Sequence, residues 1–345
     1  MLKTLKRLLV ILPLALFVLG CAPQKLPDVF YPSPPDKPRI KYIKSYRSAS
    51  DLKAGSMAAA IILGQATTYD LRKPSSVEVD GAGRIYISDT AYADVFIFDP
   101  PNKKATSIAN MGTKIFYKPV GVRVDSKGRI FVSDTRLDKV AVISPEGNLL
   151  QYLEPKMPFK QPTGLAIDEA HDRLYVVDTH LHNVQAFSLK TLKHVMTIGS
   201  RGSEEASFNY PSNVAVDKKG NIYVVDTMNA RVQIFDKDGR FIRSFGRFGD
   251  VAGEFARPKG IALDSEGHIY VADAAFNNVQ IFNQEGQILM AFGGYGNGRG
   301  QMILPNGIAI DKDDYIYVVD SWNERVNVYE FLGEKHKARE AQKGK

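Results

Sequence analysis

The sequence is very poor in cysteine and has no long apolar run. Cys21 is the only cysteine among the 345 residues, so a disulfide within the chain is excluded. The longest apolar stretch, from Leu8 to Leu19, has twelve residues, whereas a helix that spans a bilayer needs about 20. Three basic residues precede it. We therefore interpret residues 1–20 as an export signal and not as an anchor helix.

The central part of the chain also lacks a net positive charge. Of the formal net charge of +7, residues 1–20 carry +3, residues 22–50 carry +4 and residues 333–345 carry +3, which leaves −3 for residues 51–332. A basic arm and a basic C-terminal tail suit an anionic membrane surface, although such a tail is also typical of a solvated segment. The body shows no nucleic-acid signature, so no nucleic-acid partner is expected.

What the chain has instead is a repeat. An alternating apolar run ends on an aspartate, a polar turn of four residues follows, and a second alternating run begins, which predicts two antiparallel strands. Successive aspartates are 45, 44, 48, 47 and 47 residues apart, a period that indicates propeller blades. The six aspartates are Asp89, Asp134, Asp178, Asp226, Asp273 and Asp320.

Each copy also begins with a proline and a short apolar strand. The fullest copy is PSNVAVD from Pro211, GNIYVVD from Gly220, RVQIFD from Arg231 and GRFIRSFG from Gly239. This four-strand pattern closely resembles the NHL repeat. The resemblance implies an all-β fold over residues 39–332, namely a six-bladed β-propeller of four-stranded antiparallel blades.

The last copy has no fourth strand of its own. Residues 39–46, RIKYIKSY, alternate like the fourth strand of a blade. We expect this N-terminal strand to complete the last blade and so to close the ring, because closure removes exposed strand edges. Residues 50–63 depart from the strand pattern. They predict a short helix, either a connector packed on the propeller or a docking helix for a membrane or a partner.

The segment before the propeller indicates an anchor. The sequence Val-Leu-Gly-Cys ending at Cys21 resembles a bacterial lipoprotein signal, in which the cysteine is acylated. The resemblance implies a lipid-anchored protein of the cell envelope. Residue 22 is alanine, not the aspartate of an inner-membrane retention signal, which favours the outer membrane. The proline-rich residues 21–38 predict an extended tether.

The repeated residues are expected to serve the blades, and function is expected where the copies differ. The repeated aspartates predict carboxylates that accept hydrogen bonds from turn backbone amides. The turns that follow them differ in every copy and should surround one mouth of the central channel. Their mixture of aromatic, Arg and Met side chains is typical of an interaction surface. The candidate partner-binding residues are Tyr92, Arg136, His180, His182, Met228, Phe276 and Trp322.

A metal-dependent enzyme is the alternative. Propellers that resemble this one include lactonase-like hydrolases and lyases with a metal near the tops of their inner strands. The corresponding positions here contain no Asp, Glu or His, and they are Ser76, Gly121, Gly164, Asn213, Gly260 and Gly307. His180 and His182 alone would be too few protein ligands for a catalytic metal. The sequence thus favours a tethered binding scaffold without a cofactor, presenting its mouth to a protein, peptide or glycan.

Overall fold

The computed structural model describes residues 26–52 and 69–343. Within them, six antiparallel sheets follow one another around a ring, and their first strands line the centre. Each sheet is one blade, numbered here along the chain. The prediction of six four-stranded blades is confirmed.

The strand bounds follow the repeat. Blade 1 consists of β3 (Pro74–Val79), β4 (Ile85–Asp89), β5 (Asp94–Asp99) and β6 (Lys104–Ser107). Blade 2 consists of β7 (Pro119–Val124), β8 (Ile130–Asp134), β9 (Lys139–Ile143) and β10 (Leu149–Tyr152). Blade 3 consists of β11 (Pro162–Asp168), β12 (Arg173–Asp178), β13 (Asn183–Ser188) and β14 (His194–Ile198). Blade 4 consists of β15 (Asn213–Val216), β16 (Ile222–Asp226), β17 (Arg231–Phe235) and β18 (Phe241–Phe245). Blade 5 consists of β19 (Pro258–Leu263), β20 (Ile269–Asp273), β21 (Asn278–Phe282) and β22 (Ile288–Gly293). Blade 6 consists of β23 (Pro305–Ile310), β24 (Tyr315–Asp320) and β25 (Arg325–Phe331), and β2 (Ile40–Tyr46) is its outer strand.

The core lies between neighbouring blades. All five residues of β16 are buried, because both faces of a second strand are covered by adjacent blades. The outer strand β18 leaves three consecutive residues exposed. Strands that are buried on both faces read as continuous apolar runs, which is why the second strands are so apolar in the sequence.

The N-terminal strand closes the ring as predicted. β2 pairs antiparallel with β25, from Ile40 opposite Phe331 to Tyr46 opposite Val326. Ile40 is fully buried, and Tyr46 is 3% exposed in the cluster shared with blade 1. The two ends of the ring are therefore joined by main-chain hydrogen bonds and by apolar packing.

Part of the predicted tether packs on the propeller. The short strand β1 (Phe30–Tyr31) adds a fifth strand outside β2. The Tyr31 ring lies 6.1 Å from that of Phe292, and its hydroxyl donates to the Gly300 carbonyl at 2.9 Å. This segment therefore extends the outer edge of blade 6 and also contacts blade 5 through Phe292.

The C-terminal tail forms a helix, α1 (Glu334–Lys343), which has no buried residue. Arg339 donates to the Asp313 carbonyl at 2.7 Å and pairs with Glu330 at 2.6 Å. The basic residues of the tail thus find acidic and carbonyl partners on the face opposite the hairpin turns. Within the described residues no helix is long and apolar enough to cross a membrane.

The predicted helix over residues 50–63 is only partly described. Ala49–Leu52 form a 3₁₀ turn, in which the Asp51 carboxylate accepts the backbone N–H groups of Arg47 and Ser48. Residues 53–63 lie outside the described residues.

Candidate functional site

The repeated aspartates fix the loops that lead into the inner strands. Asp89 is fully buried. One of its oxygens accepts the backbone N–H groups of Arg72 and Lys73 at 2.8 and 3.0 Å. The other oxygen accepts the N–H of Ala91 at 2.9 Å. The carboxylate therefore joins the loop before the first strand to the turn after the second strand, as the sequence predicted.

The residue after the aspartate ties one blade to the next. In three blades its hydroxyl donates to the carbonyl of the following blade's first proline: Thr179 to Pro211 at 2.7 Å, Thr227 to Pro258 at 2.9 Å and Ser321 to Pro74 at 2.8 Å. These hydroxyl groups lie at the end of the channel where the hairpin turns are, and their hydrogen bonds fix the positions of the loops there.

The loops and turns enclose a cavity of about 560 Å³ at this end of the channel. We call this opening the mouth and the surface around it the mouth face. The residues directly before and directly after the repeated proline contribute from every blade. The residues directly before the six prolines are of five types, and they are Lys73, Lys118, Gln161, Tyr210, Arg257 and Leu304. The lining is thus asymmetric although the blades repeat.

The charge of the lining has one sign. Four cationic residues contribute to it, and no Asp or Glu among the described residues does. Lys73 belongs to blade 1 and Lys118 to blade 2, whereas Arg257 and Lys259 belong to blade 5. Blades 2 and 5 lie opposite each other in a ring of six, so the cations face one another across the mouth.

Lys259 is the most enclosed of these cations. Burial lowers the pKa of its ammonium group, and the positive charge of Arg257 lowers that pKa further. Within residues 26–52 and 69–343, its side chain has neither a hydrogen bond nor an ion pair. A desolvated charge without a counterion is costly, so this site favours a negative group beside Lys259.

A further ion pair lies between the first strands of blades 1 and 2. An Arg123 guanidinium nitrogen lies 3.3 Å from a carboxylate oxygen of Glu78. Burial raises the pKa of Glu78, and the nearby Arg123 opposes this in part. These two charges compensate each other, in contrast to those at the mouth.

The structure places the seven sequence-predicted residues on the mouth face, but only Met228 lines the mouth cavity. Trp322 and Tyr92 are 69% and 49% exposed, respectively, and Arg136 is exposed. Phe276 borders a different cavity of about 540 Å³ beside β22. The structure therefore spreads these residues over the mouth face and does not bring them together in one pocket.

The two histidines flank Tyr210, a lining residue. The His182 ring is 4.6 Å from the Tyr210 ring, and its Nδ1 accepts the Tyr210 backbone N–H at 3.1 Å. His182 is 6% exposed, and burial followed by the charge of Arg201 lowers its pKa. The exposed His180 has its ring edge-on to the Tyr210 ring at 5.8 Å. In this geometry His182 positions Tyr210 at the mouth.

The sequence reasoning missed the four cations. A signal was present, since Lys73, Lys118 and Arg257 each precede the repeated proline and Lys259 follows one. Comparison of these positions between the copies would have found them. In the described part of the chain, no group of three or more His, Cys, Asp or Glu side chains could hold a metal ion.

Known proteins support the architecture. A family model described as "6-bladed beta-propeller" matches residues 201–276 and 264–340. NHL repeat-containing protein 3 of Homo sapiens is 32% identical over 84 residues, which are 24% of this chain and 24% of that protein. The chain is a six-bladed β-propeller, and part of it is similar in sequence to NHL-repeat proteins. A second relative of the propeller, a probable peptidyl-alpha-hydroxyglycine alpha-amidating lyase of Caenorhabditis elegans, is 39% identical over 88 residues, 24% of the chain and 25% of the lyase. The matches span about a quarter of these relatives.

Solved structures share the fold at low identity. A gluconolactonase of Xanthomonas campestris has a TM-score of 0.59 and 15% identity, covering 90% of the propeller chain and 100% of the lactonase. An auxiliary nutrient binding protein of Bacteroides thetaiotaomicron also has a TM-score of 0.59, with 13% identity over 77% of the chain and 74% of that protein. Propellers of this shape therefore include both enzymes and binding proteins.

Proposed function

We propose that the protein is a lipid-anchored binding scaffold of the bacterial cell envelope, held at the outer membrane through Cys21. Its mouth face presents a site to a protein, peptide or glycan partner. The observation that carries the proposal is the asymmetric mouth cavity, to which all six blades contribute side chains in a combination that does not repeat around the ring. A closed ring holds these side chains in fixed relation, which lowers the conformational entropy lost on binding.

Exposed aromatic residues on the same face support a macromolecular partner. Phe248, Tyr295 and Trp322 are 79%, 73% and 69% exposed. Phe248 and Tyr295 lie in the loops that lead into the first strands of blades 5 and 6, and Trp322 lies in a turn of blade 6. Aromatic side chains that are solvent-exposed in the free protein are enriched among the residues that dominate binding energies.

Replacing these three aromatic residues by serine is expected to abolish capture of the partner. The protein would be used at full length to recover bound molecules from intact envelopes by affinity capture, followed by mass spectrometry. Loss of three buried aromatic contacts costs about 2 kcal/mol or more for each residue that dominates binding, which is enough to remove a partner from a washed sample.

A matched control comes from the outer strands. Leu150, Val195 and Ile242 are 54%, 43% and 42% exposed, and all three lie on fourth strands away from the mouth. Their triple replacement by serine should leave capture unchanged. Equal recovery with both triple variants would contradict a binding site on the mouth face.

Replacing Cys21 by serine is expected to move the protein from the membrane fraction to the soluble fraction. Acyl chains contribute about 0.8 kcal/mol per buried methylene group, and serine cannot carry the thioether-linked lipid. Fractionation and labelling with a radioactive fatty acid would measure the change. Pro23→Ala should remain lipidated, and membrane retention of the Cys21→Ser protein would refute the anchor.

The alternative of a metal-dependent enzyme receives no support from the described residues. Ser76, Gly121, Gly164 and Asn213 line the mouth cavity, and none of them offers a carboxylate or imidazole ligand. The proposed binding function rests on the shape and charge of the mouth.

A further inference from the structure

We propose that the mouth binds a negatively charged oxygen group of its ligand, a carboxylate or a phosphate, between the cations of blades 2 and 5. This inference rests on the proposed function and adds the chemical class of the ligand. It also names the residues that contact the ligand, Lys118 on one side and Arg257 with Lys259 on the other.

The first support is the absence of a protein counterion. None of the four cationic side chains of the lining takes part in a side-chain hydrogen bond or an ion pair with another described residue. Arg325, by contrast, pairs with Asp320 at 2.7 Å. The mouth thus concentrates unpaired positive charge in a concave site, which strengthens the field there.

The second support is the position of the nearest carboxylates. Asp89, Asp134 and Asp273 are at most 2% exposed and do not line the cavity. Each accepts a backbone N–H of the residue whose side chain is a mouth cation, as Asp134 does from Lys118 at 2.8 Å and Asp273 from Arg257 at 3.0 Å. These aspartates hold the cations at the rim without occupying the cavity in which a ligand anion would sit.

The third support is the enclosure of Lys259. Its carbonyl accepts the Ser212 hydroxyl at 3.0 Å, which fixes its backbone to blade 4. The ammonium group lies in the lining next to the like charge of Arg257. An incoming anion relieves both the repulsion and the lost hydration, whereas a neutral ligand relieves neither.

The remaining lining combines apolar surface with a few polar side chains. Gln161, Asn213 and Asn306 add side-chain amides from blades 3, 4 and 6. A cavity of about 560 Å³ falls within the range of small-molecule sites, roughly 300–1,000 Å³. The mouth therefore has room for an anionic group together with the sugar ring or short chain that carries it.

The test is calorimetric titration of the full-length protein with inorganic phosphate, D-glucuronate and neutral D-glucose at constant ionic strength. We expect binding of phosphate, glucuronate or both, and none of glucose. Phosphate binding alone would identify a phosphoryl group as the ligand chemistry, and glucuronate binding alone a carboxylate. Failure of both anions to bind the wild-type protein would overturn the proposal.

Variants locate the binding. Lys118→Gln and Lys259→Gln should each weaken anion binding roughly tenfold or more, because each removes one partner of a charge pair. Lys259→Arg keeps the positive charge and should retain anion binding, so it distinguishes an effect of the charge from an effect on folding. Lys127→Gln, in an exposed turn on the opposite face, is the matched control and should bind like the wild type. Equal affinity in all variants would exclude the mouth.

The same variants separate this inference from the scaffold proposal. If Lys118→Gln and Lys259→Gln capture the envelope partner as well as the wild type does, while the aromatic variant does not, the scaffold stands and the anionic ligand is wrong. If neither set of changes affects capture, the mouth face is not the binding site and both proposals fail.

Discussion

A chain that begins at residue 47 is expected to lose the cooperative thermal unfolding of the propeller. Its β25 would become an open edge with unpaired backbone groups, and the core would lose Ile40, Tyr42 and Tyr46, which are 0%, 5% and 3% exposed. Burial of a large apolar side chain contributes about 1.5–3 kcal/mol. The combined loss is on the order of 5–9 kcal/mol, comparable with the whole stability of a domain, about 5–15 kcal/mol.

Circular dichroism during heating would measure this effect, with a chain that begins at residue 26 as the control. A gentler variant tests the same contact within a folded ring. The Tyr42 ring lies 5.6 Å from that of Tyr329 in an edge-to-face arrangement. Tyr42→Ala should cost about 3–5 kcal/mol, whereas Tyr42→Phe keeps the ring and should be nearly neutral. An unchanged midpoint in the shortened chain would show that the N-terminal strand does not close the ring.

Replacing Asp320 by alanine is expected to destabilise the protein by about 3–5 kcal/mol, the usual cost of removing one partner of a buried ion pair. Asp320 is fully buried and pairs with the Nε of Arg325 at 2.7 Å; the Arg325 side chain is 4% exposed. The carboxylate also accepts the Ile303 backbone N–H at 2.8 Å. The change leaves a buried guanidinium without its anion and frees the loop at the mouth.

Urea unfolding would measure this loss as a lower transition midpoint with an unchanged slope. Asp238→Ala is the matched control. That carboxylate is 56% exposed and pairs with Lys237 at the surface, an arrangement worth about 0–1 kcal/mol. Replacing both Asp320 and Arg325 by apolar residues should recover part of the loss, because it removes both buried charges. If Asp320→Ala is no more harmful than Asp238→Ala, the buried pair contributes nothing.

These two predictions concern features that the sequence already indicated. The closing strand was visible because residues 39–46 alternate like the fourth strand that the last copy lacks. The role of Asp320 was visible because a carboxylate recurs at one place before a turn, where backbone amides need an acceptor. The first signal is local and the second is repeated, so both can be recognised in the sequence without the structure.

The structure differed from the sequence-based predictions in segments whose conformation depends on residues far away along the chain. Proline-rich residues before the propeller predicted a tether, yet Tyr31 packs between blades 5 and 6, where the Phe292 ring and the Gly300 carbonyl lie within reach. The basic C-terminal residues predicted a solvated or membrane-facing tail. They form the helix α1, which has no buried residue and is attached to the propeller by the bonds of Arg339 to Glu330 and to the Asp313 carbonyl.

The sequence by itself determined the number of blades, their strand pattern and the closure of the ring, because period-two alternation and a repeat of 44–48 residues leave few other solutions. The repeat marks the positions beside the prolines, but only the tertiary structure decided that cations from different blades share one cavity without a counterion among the described residues. Lys118 and Lys259 are 141 residues apart along the chain, and the ring places them on opposite sides of one cavity. Whether a cation has a counterion depends on neighbours from other blades, and no local pattern encodes that.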